Sequence, residues 1–156
     1  MQRLSNQIQN KDIGVFMKVT ARGRCALKAM VELALHADKR LSVKEIAKNQ
    51  DLSVRYLEQI FSSLKKSKLI SGTKGPTGGY TLEKSADKIS VGEILFTVEG
   101  RSPFKLEDNK DVLETCLEEM IWEKLDDHIE SFLSEMTLSD IVKTFESKSH
   151  DYMYYI

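Results

Sequence analysis

Four polar side chains fall within seven residues in SVRYLEQ: Ser53, Arg55, Glu58 and Gln59. Each matches a base edge. Arginine fits guanine, glutamine fits adenine, and a glutamate can accept from the amino group of cytosine. A solvated helix face has a similar composition, so the neighbourhood decides. Lys65, Lys66 and Lys68 follow closely, and clustered cations favour a nucleic-acid partner. Glu58 argues against pure phosphate binding, because a carboxylate near a polyanion must read a base or impose a penalty that sharpens selectivity.

Other candidate chemistry is weaker. The stretch TKGPTGGY lacks the G-x-x-x-x-G-K-[ST] spacing of a phosphate cradle, and its glycines suit a tight turn. Lys74 at that turn is placed to touch phosphate or enter a minor groove. The chain has two cysteines, Cys25 and Cys116, about 90 residues apart, and His36, His128 and His150 stand singly. Zinc or an iron–sulfur cluster needs about three or four ligands. No metal or cofactor is therefore expected, and Cys116 between Leu113 and Leu117 is expected to be a small packing residue. A redox role is the lesser alternative. No nucleophile–base set converges, which excludes an enzyme as the leading reading.

The charge distribution supports a polyanionic partner. The 156 residues carry a net charge of −1, yet residues 17–84 hold 14 Lys/Arg against 6 Asp/Glu, and residues 85–156 hold 7 against 17. Such asymmetry points to a basic half that meets a polyanion. Two oppositely charged faces that attract each other are the alternative. No apolar run approaches the roughly 18 residues of a membrane span. Two thiols make no disulfide framework, so a cytoplasmic setting is expected.

The elements that would position these residues follow from periodicity and caps. Thr20 caps a helix of about five turns bearing Ala26, Leu27, Met30, Val31, Leu33 and Ala34 on one stripe. Ser42 and Glu45 form a capping box for a short second helix with Ile46 and Ala47 inward. Ser53 caps a third, VRYLEQIFSSLKKSKLI, with Tyr56, Leu57, Ile60, Phe61 and Leu64 inward. SGTKGPTGGYTLEK is a glycine-punctuated hairpin. After Ser90 a short helix runs to Gly100, and RSPFKLEDNK is a loop. A helix of about 28 residues from Asn109 to Met136, ~42 Å long, carries Leu113, Leu117, Met120 or Ile121, Leu125, Ile129 and Phe132 on one face. So long a stripe is expected to pair with a second copy. Thr137 caps a last short helix, LSDIVKTF.

The fold implied is mainly α with a small β-hairpin wing: a winged helix-turn-helix over residues 17–84, then a helical dimerisation and regulatory region over residues 85–156. In that arrangement the third helix enters the major groove of double-stranded DNA.

The stretches MKVTARGRCALKAM, SVRYLEQIFSSLKKSKLI, GTKGPTGGYTL and ISVGEIL resemble the Rrf-two family of winged-helix regulators. The resemblance covers about Met17 to Ile156, and residues 1–16 are expected to be a disordered or non-native extension. It implies a homodimer that reads a palindromic operator. Thr20, Arg22 and Arg24 match the family's basic N-terminal segment. Ser53, Tyr56, Leu57, Glu58 and Gln59 match its recognition helix, and Lys74, Gly75, Gly78, Gly79 and Tyr80 its wing. Arg55 and Lys65 complete the expected DNA-binding set. Cys25 replaces a tyrosine common in the family. The cluster-binding members carry three cysteines near the long helix, and this chain keeps only Cys116, with Glu119 where one member has a histidine.

The resemblance is therefore to the cluster-less, CymR-type branch of cysteine-metabolism repressors. That branch implies complex formation with the cysteine synthase O-acetylserine (thiol)-lyase. The closing YMYYI, with Tyr154, Tyr155 and Ile156, resembles that branch's tail and implies a hook for the synthase. Packing of the tyrosines on the dimer helices is the alternative. An iron–sulfur, thiol-redox or nitric-oxide sensor of the same family, and an enzyme-docking adaptor that binds no DNA, are the other readings.

Overall fold

The computed structural model describes residues 19–75, 78–100 and 111–153, with side chains through His150. Residues 1–18, the turn residues Pro76 and Thr77, the RSPFKLEDNK loop and Tyr154 to Ile156 lie outside the described residues, so expectations for the N-terminal extension and the tail are not addressed by it.

Helix α1 spans Ala21–Leu35, α2 Val43–Asn49 and α3 Val54–Lys66. All three start where the caps predict. Thr20 accepts from the Arg22 and Gly23 amides, Ser42 and Glu45 form the full reciprocal box, and Ser53 accepts from the Tyr56 amide. Each cap satisfies amides that have no partner within the helix. The turn between α2 and α3 is closed by Asp51 at φ 53° and by the Leu52 amide bonded to the Ala47 carbonyl at 2.9 Å. From α1, Glu32 takes the Asn49 and Gln50 side-chain amides at 2.6 and 2.8 Å, fixing that turn.

Helix α3 is shorter than its apolar pattern suggested. It stops at Lys66 and does not continue to Ile70. Lys68 adopts φ 55°, and the Leu69 amide returns to the Leu64 carbonyl at 3.0 Å. This left-handed ending reverses the chain, so Leu69 and Ile70 enter the core and Ile70 opens a strand. Strand β1, Ile70–Thr73, pairs antiparallel with β2, Gly79–Leu82. Leu41 adds an isolated antiparallel bridge to β2: its amide and carbonyl both bond to Tyr80, at 3.1 and 2.8 Å. The Tyr80 ring meets Phe61 of α3 edge-on with centroids 4.8 Å apart, pinning the wing to the recognition helix. A β-carbon on Gly72 would lie 2.6 Å from that ring, so only glycine fits there.

Helix α4, Val91–Glu99, starts at a second capping box, Ser90 with Glu93, and ends at Gly100 with φ 92°. The long helix is a composite. Asp111 caps α5, Val112–Leu117; one π turn covers Glu118–Trp122; α6 spans Glu123–Glu135. It starts and ends inside the expected Asn109 to Met136, and Asn109 lies outside the described residues. A π turn inserts about one extra residue, so residues before and after it do not share one helical register. The expected stripe is not uniformly covered, on either side of the π turn. Leu117, Leu125 and Ile129 are half-buried, while Leu113, Ile121 and Phe132 are exposed.

Helix α7 runs Leu138–Met153, well beyond the short segment expected, and takes in the polar FESKSH. Thr137 does cap it: its hydroxyl accepts from the Asp140 amide at 3.2 Å, and the Asp140 carboxylate accepts in return from the Thr137 hydroxyl and amide at 2.7 and 3.0 Å. The core joins Met30 and Leu33 of α1, Ile46 of α2, Leu57, Ile60, Phe61 and Leu64 of α3, and Ile94 of α4 with Leu138 of α7.

Candidate nucleic-acid interface

The outer face of α3 carries Arg55, Glu58, Gln59 and Ser62, all exposed. These positions are spaced i, i+3, i+4, i+7 and share one side of the helix. The opposite side, Leu57, Ile60, Phe61 and Leu64, is fully buried. Burial of one face thus orients the other outward and leaves Arg55, Glu58 and Gln59, the side chains expected to read bases, in a row. Ser53 and Tyr56 differ from them. The Ser53 hydroxyl is engaged as the cap, and Tyr56 is half-buried against the core.

Lys65 and Lys74 lie at the wing side of this face. The Lys65 ammonium reaches the Gly72 carbonyl at 3.4 Å, and Lys74 is exposed at the wing tip beside Gly75 at φ 119°. That backbone angle favours glycine, and nothing crowds the position. Lys65 is thereby tied to β1, the strand that leads to the exposed Lys74.

The N-terminal trio is divided. Arg22 is half-buried and donates from Nη2 to Ser63 Oγ on α3 at 3.1 Å, which braces α1 against the recognition helix. Arg24 is exposed, with Nε near the Val19 carbonyl at 3.4 Å. Thr20 is held by a residue the sequence pattern did not mark. Glu99 Oε1, at the end of α4, accepts from the Thr20 amide at 3.0 Å, the Thr20 hydroxyl at 2.7 Å and the Gly23 amide at 2.9 Å. A carboxylate at a helix C-terminus opposes its own dipole. Here it serves the positive N-terminal end of α1 instead. Gly23 is buried, and a β-carbon on it would collide with that same oxygen. A glycine beside a distant glutamate carries no local signal of this arrangement.

Arg40 was also missed. It follows no motif, yet its Nη1 donates to Thr73 Oγ1 of β1 at 2.9 Å.

Cys25 is half-buried on α1, whereas Cys116 is exposed on α5. The expected packing role for Cys116 does not hold within the single chain, because α5 buries no residue. Among the described residues no group of three or more His, Cys, Asp or Glu is placed to hold a metal ion, and no helix is long and apolar enough to cross a membrane.

Known proteins resemble this chain over most of its length. The family model described as "Rrf2: Iron-dependent Transcriptional regulator" matches residues 19–144. The HTH-type transcriptional regulator IscR of Erwinia tasmaniensis is 37% identical over 134 residues, covering 83% of this chain and 81% of the relative. Among solved structures, CymR, titled the global cysteine regulator of B. subtilis, superposes with a TM-score of 0.69 at 32% identity, covering 82% of this chain and 98% of the other. IscR of T. potens gives a TM-score of 0.68 at 34% identity over 85% and 90%. These relatives are transcriptional regulators, not enzymes. Matching family, winged-helix architecture and an outward polar recognition helix agree: the chain belongs to the Rrf2 family of DNA-binding transcriptional regulators.

Proposed function

We propose that this protein is a homodimeric repressor of cysteine and sulfur metabolism genes, acting in the cytoplasm on a palindromic operator and controlled by complex formation with cysteine synthase. Arg55, Glu58 and Gln59 read bases. Lys65, Lys74, Arg24 and the Gly75 turn contact the DNA backbone. Thr20, Arg22, Ser53 and Tyr56 hold these elements in place.

The observation that carries the dimer is the apolar surface of the composite helix. Val112 is 84% exposed, Leu113 68%, Met120 65% and Phe132 61%, with Ile121 beside Met120. Val112, Leu113, Cys116 and Met120 fall on adjoining turns, a concentration of apolar surface that a second copy would cover. A two-fold dimer presents two recognition helices, and this favours two half-sites one turn of DNA apart.

The cysteine assignment is supported by the likeness to the global cysteine regulator of B. subtilis and by the small number of thiols. Cys25 and Cys116 lie on separate helices, so a chain cannot supply the three cysteines of the cluster-binding type. The tail residues Tyr154, Tyr155 and Ile156 are the proposed hook, with the terminal carboxylate captured by backbone amides of the synthase.

Two measurements test this reading. Genomic fragments bound by the purified dimer should come from upstream of cysteine and sulfur genes. Deleting Tyr155 and Ile156 should abolish binding to cysteine synthase in calorimetry; unchanged affinity would remove the hook. A second reading, an iron–sulfur or thiol sensor, is favoured by the IscR relatives. Bound iron with absorbance in the 400 nm region after anaerobic purification would replace the cluster-free assignment.

A further inference from the structure

Arg40 sits in the connection between α1 and α2, outside both the recognition helix and the wing hairpin. Its neighbour Leu41 is buried and bonded in both directions to Tyr80 of β2. That bridge lays the Arg40 backbone along the wing. Gly79 has no side chain on the facing strand, and a β-carbon there would stand 3.1 Å from the Arg40 Cβ. The arginine stem therefore rests against the wing, where Nη1 bonds to Thr73 Oγ1 at 2.9 Å. Thr73 precedes Lys74, the wing-tip cation.

Arg40 is exposed, and among the described residues no carboxylate pairs with it. A guanidinium has five N–H donors in a fixed plane. One is used on Thr73, which orients the plane and leaves the others directed away from that bond. An arginine already held in place gives up less side-chain freedom on binding a phosphate than a free one.

We propose that Arg40 is an additional DNA-binding residue that clamps a backbone phosphate of the duplex beside the groove receiving Lys74. The proposal rests on the DNA-binding role of the family and adds a contact from a connection outside the usual reading elements. Phosphate is favoured over base reading because the guanidinium is anchored on Thr73 at the loop end of β1 and not on the outward face of α3.

The test uses the full-length dimer, a duplex selected by the wild-type protein from a random pool, and a random-sequence duplex of equal length. Affinity is measured by fluorescence anisotropy across a salt series. Arg40→Ala is expected to weaken both duplexes by the same factor, roughly tenfold, and to lower the slope of log affinity against log salt by about 0.9, the release expected for one phosphate. Arg40→Lys should restore the slope. Thr73→Val, which removes only the orienting bond, should leave the slope intact. An unchanged slope in Arg40→Ala, a loss confined to the selected duplex, or a Thr73→Val variant that reproduces Arg40→Ala would each overturn the phosphate contact. Absence of salt-dependent binding by the wild-type dimer would instead overturn the DNA-binding assignment itself.

Discussion

Replacing Gly23 by alanine sets two physical effects against each other. Gly23 lies in the first turn of α1. By helix propensity alone, Gly→Ala stabilises by about 1 kcal/mol. The structure gives the opposite sign. The new β-carbon meets Glu99 Oε1, which holds the Thr20 amide, the Thr20 hydroxyl and the Gly23 amide, and it also crowds Val19 Cγ1 at 2.9 Å and Leu95 Cδ2 at 3.0 Å. Hydrogen bonds to a charged group contribute about 1.5–3 kcal/mol, and the exposure of Glu99 places this set near the lower end. Crowding adds ~1–3 kcal/mol. The net expectation is a destabilisation of about 2 kcal/mol, or a fall in Tm of roughly 4–8 °C for a chain of this size. Thermal unfolding of wild type, Gly23→Ala, Glu99→Ala and the double variant closes a cycle. In the Glu99→Ala background the cost of Gly23→Ala should shrink by at least ~1 kcal/mol, because the colliding oxygen is gone. A Tm increase in Gly23→Ala, or a coupling below ~0.5 kcal/mol, would refute the clamp.

Three other outcomes are expected. Gln59→Ala should weaken the selected duplex more than random DNA, whereas Lys74→Ala should weaken both and reduce the salt slope by about one; anisotropy on both duplexes separates them. Ile121→Glu places a charge on the exposed apolar surface of the composite helix and should shift the protein to monomer in sedimentation equilibrium while leaving helix content unchanged. Acid should destabilise the fold through its caps. Burial pushes Glu93 up, but the Ser90 amide and Lys84 outweigh it and leave its pKa lowered from 4.5. The Thr137 hydroxyl lowers Asp140 from 3.8, and Ser42 and Ser85 do the same for Glu45 and Asp87. Depressed carboxylates stabilise the folded state above their unfolded values and lose that contribution as pH falls through the folded values. Urea midpoints should therefore hold through pH 5.5 as far as these groups are concerned, then fall below about pH 4.5.

The helix starts were legible because their signals are local. Thr20, Ser42, Ser53, Ser90 and Thr137 each lie within three residues of the amides they serve. Endings were less so. Lys68 takes a left-handed conformation that its residue type does not favour, and the burial of Leu69 and Ile70 in the core supports it. The π turn at Glu118–Trp122 was not legible either: EEMIW continues a helical pattern and carries no local signal of an inserted residue. The expected last helix stopped at Phe145, yet the polar ESKSH continues α7, since an exposed helix needs no apolar stripe once its first turn is anchored by Leu138.

By itself the sequence determined the order of elements, the buried side of α3 and thus the outward row Arg55, Glu58 and Gln59, since caps and 3.6-residue periodicity act within a few residues. Only the tertiary structure decided that Glu99 closes the start of α1, that Arg22 braces α3 through Ser63, and that Arg40 lies on Thr73. These contacts join residues 33 to 79 positions apart. No local propensity encodes such pairs; they exist because the shared core brings those elements together.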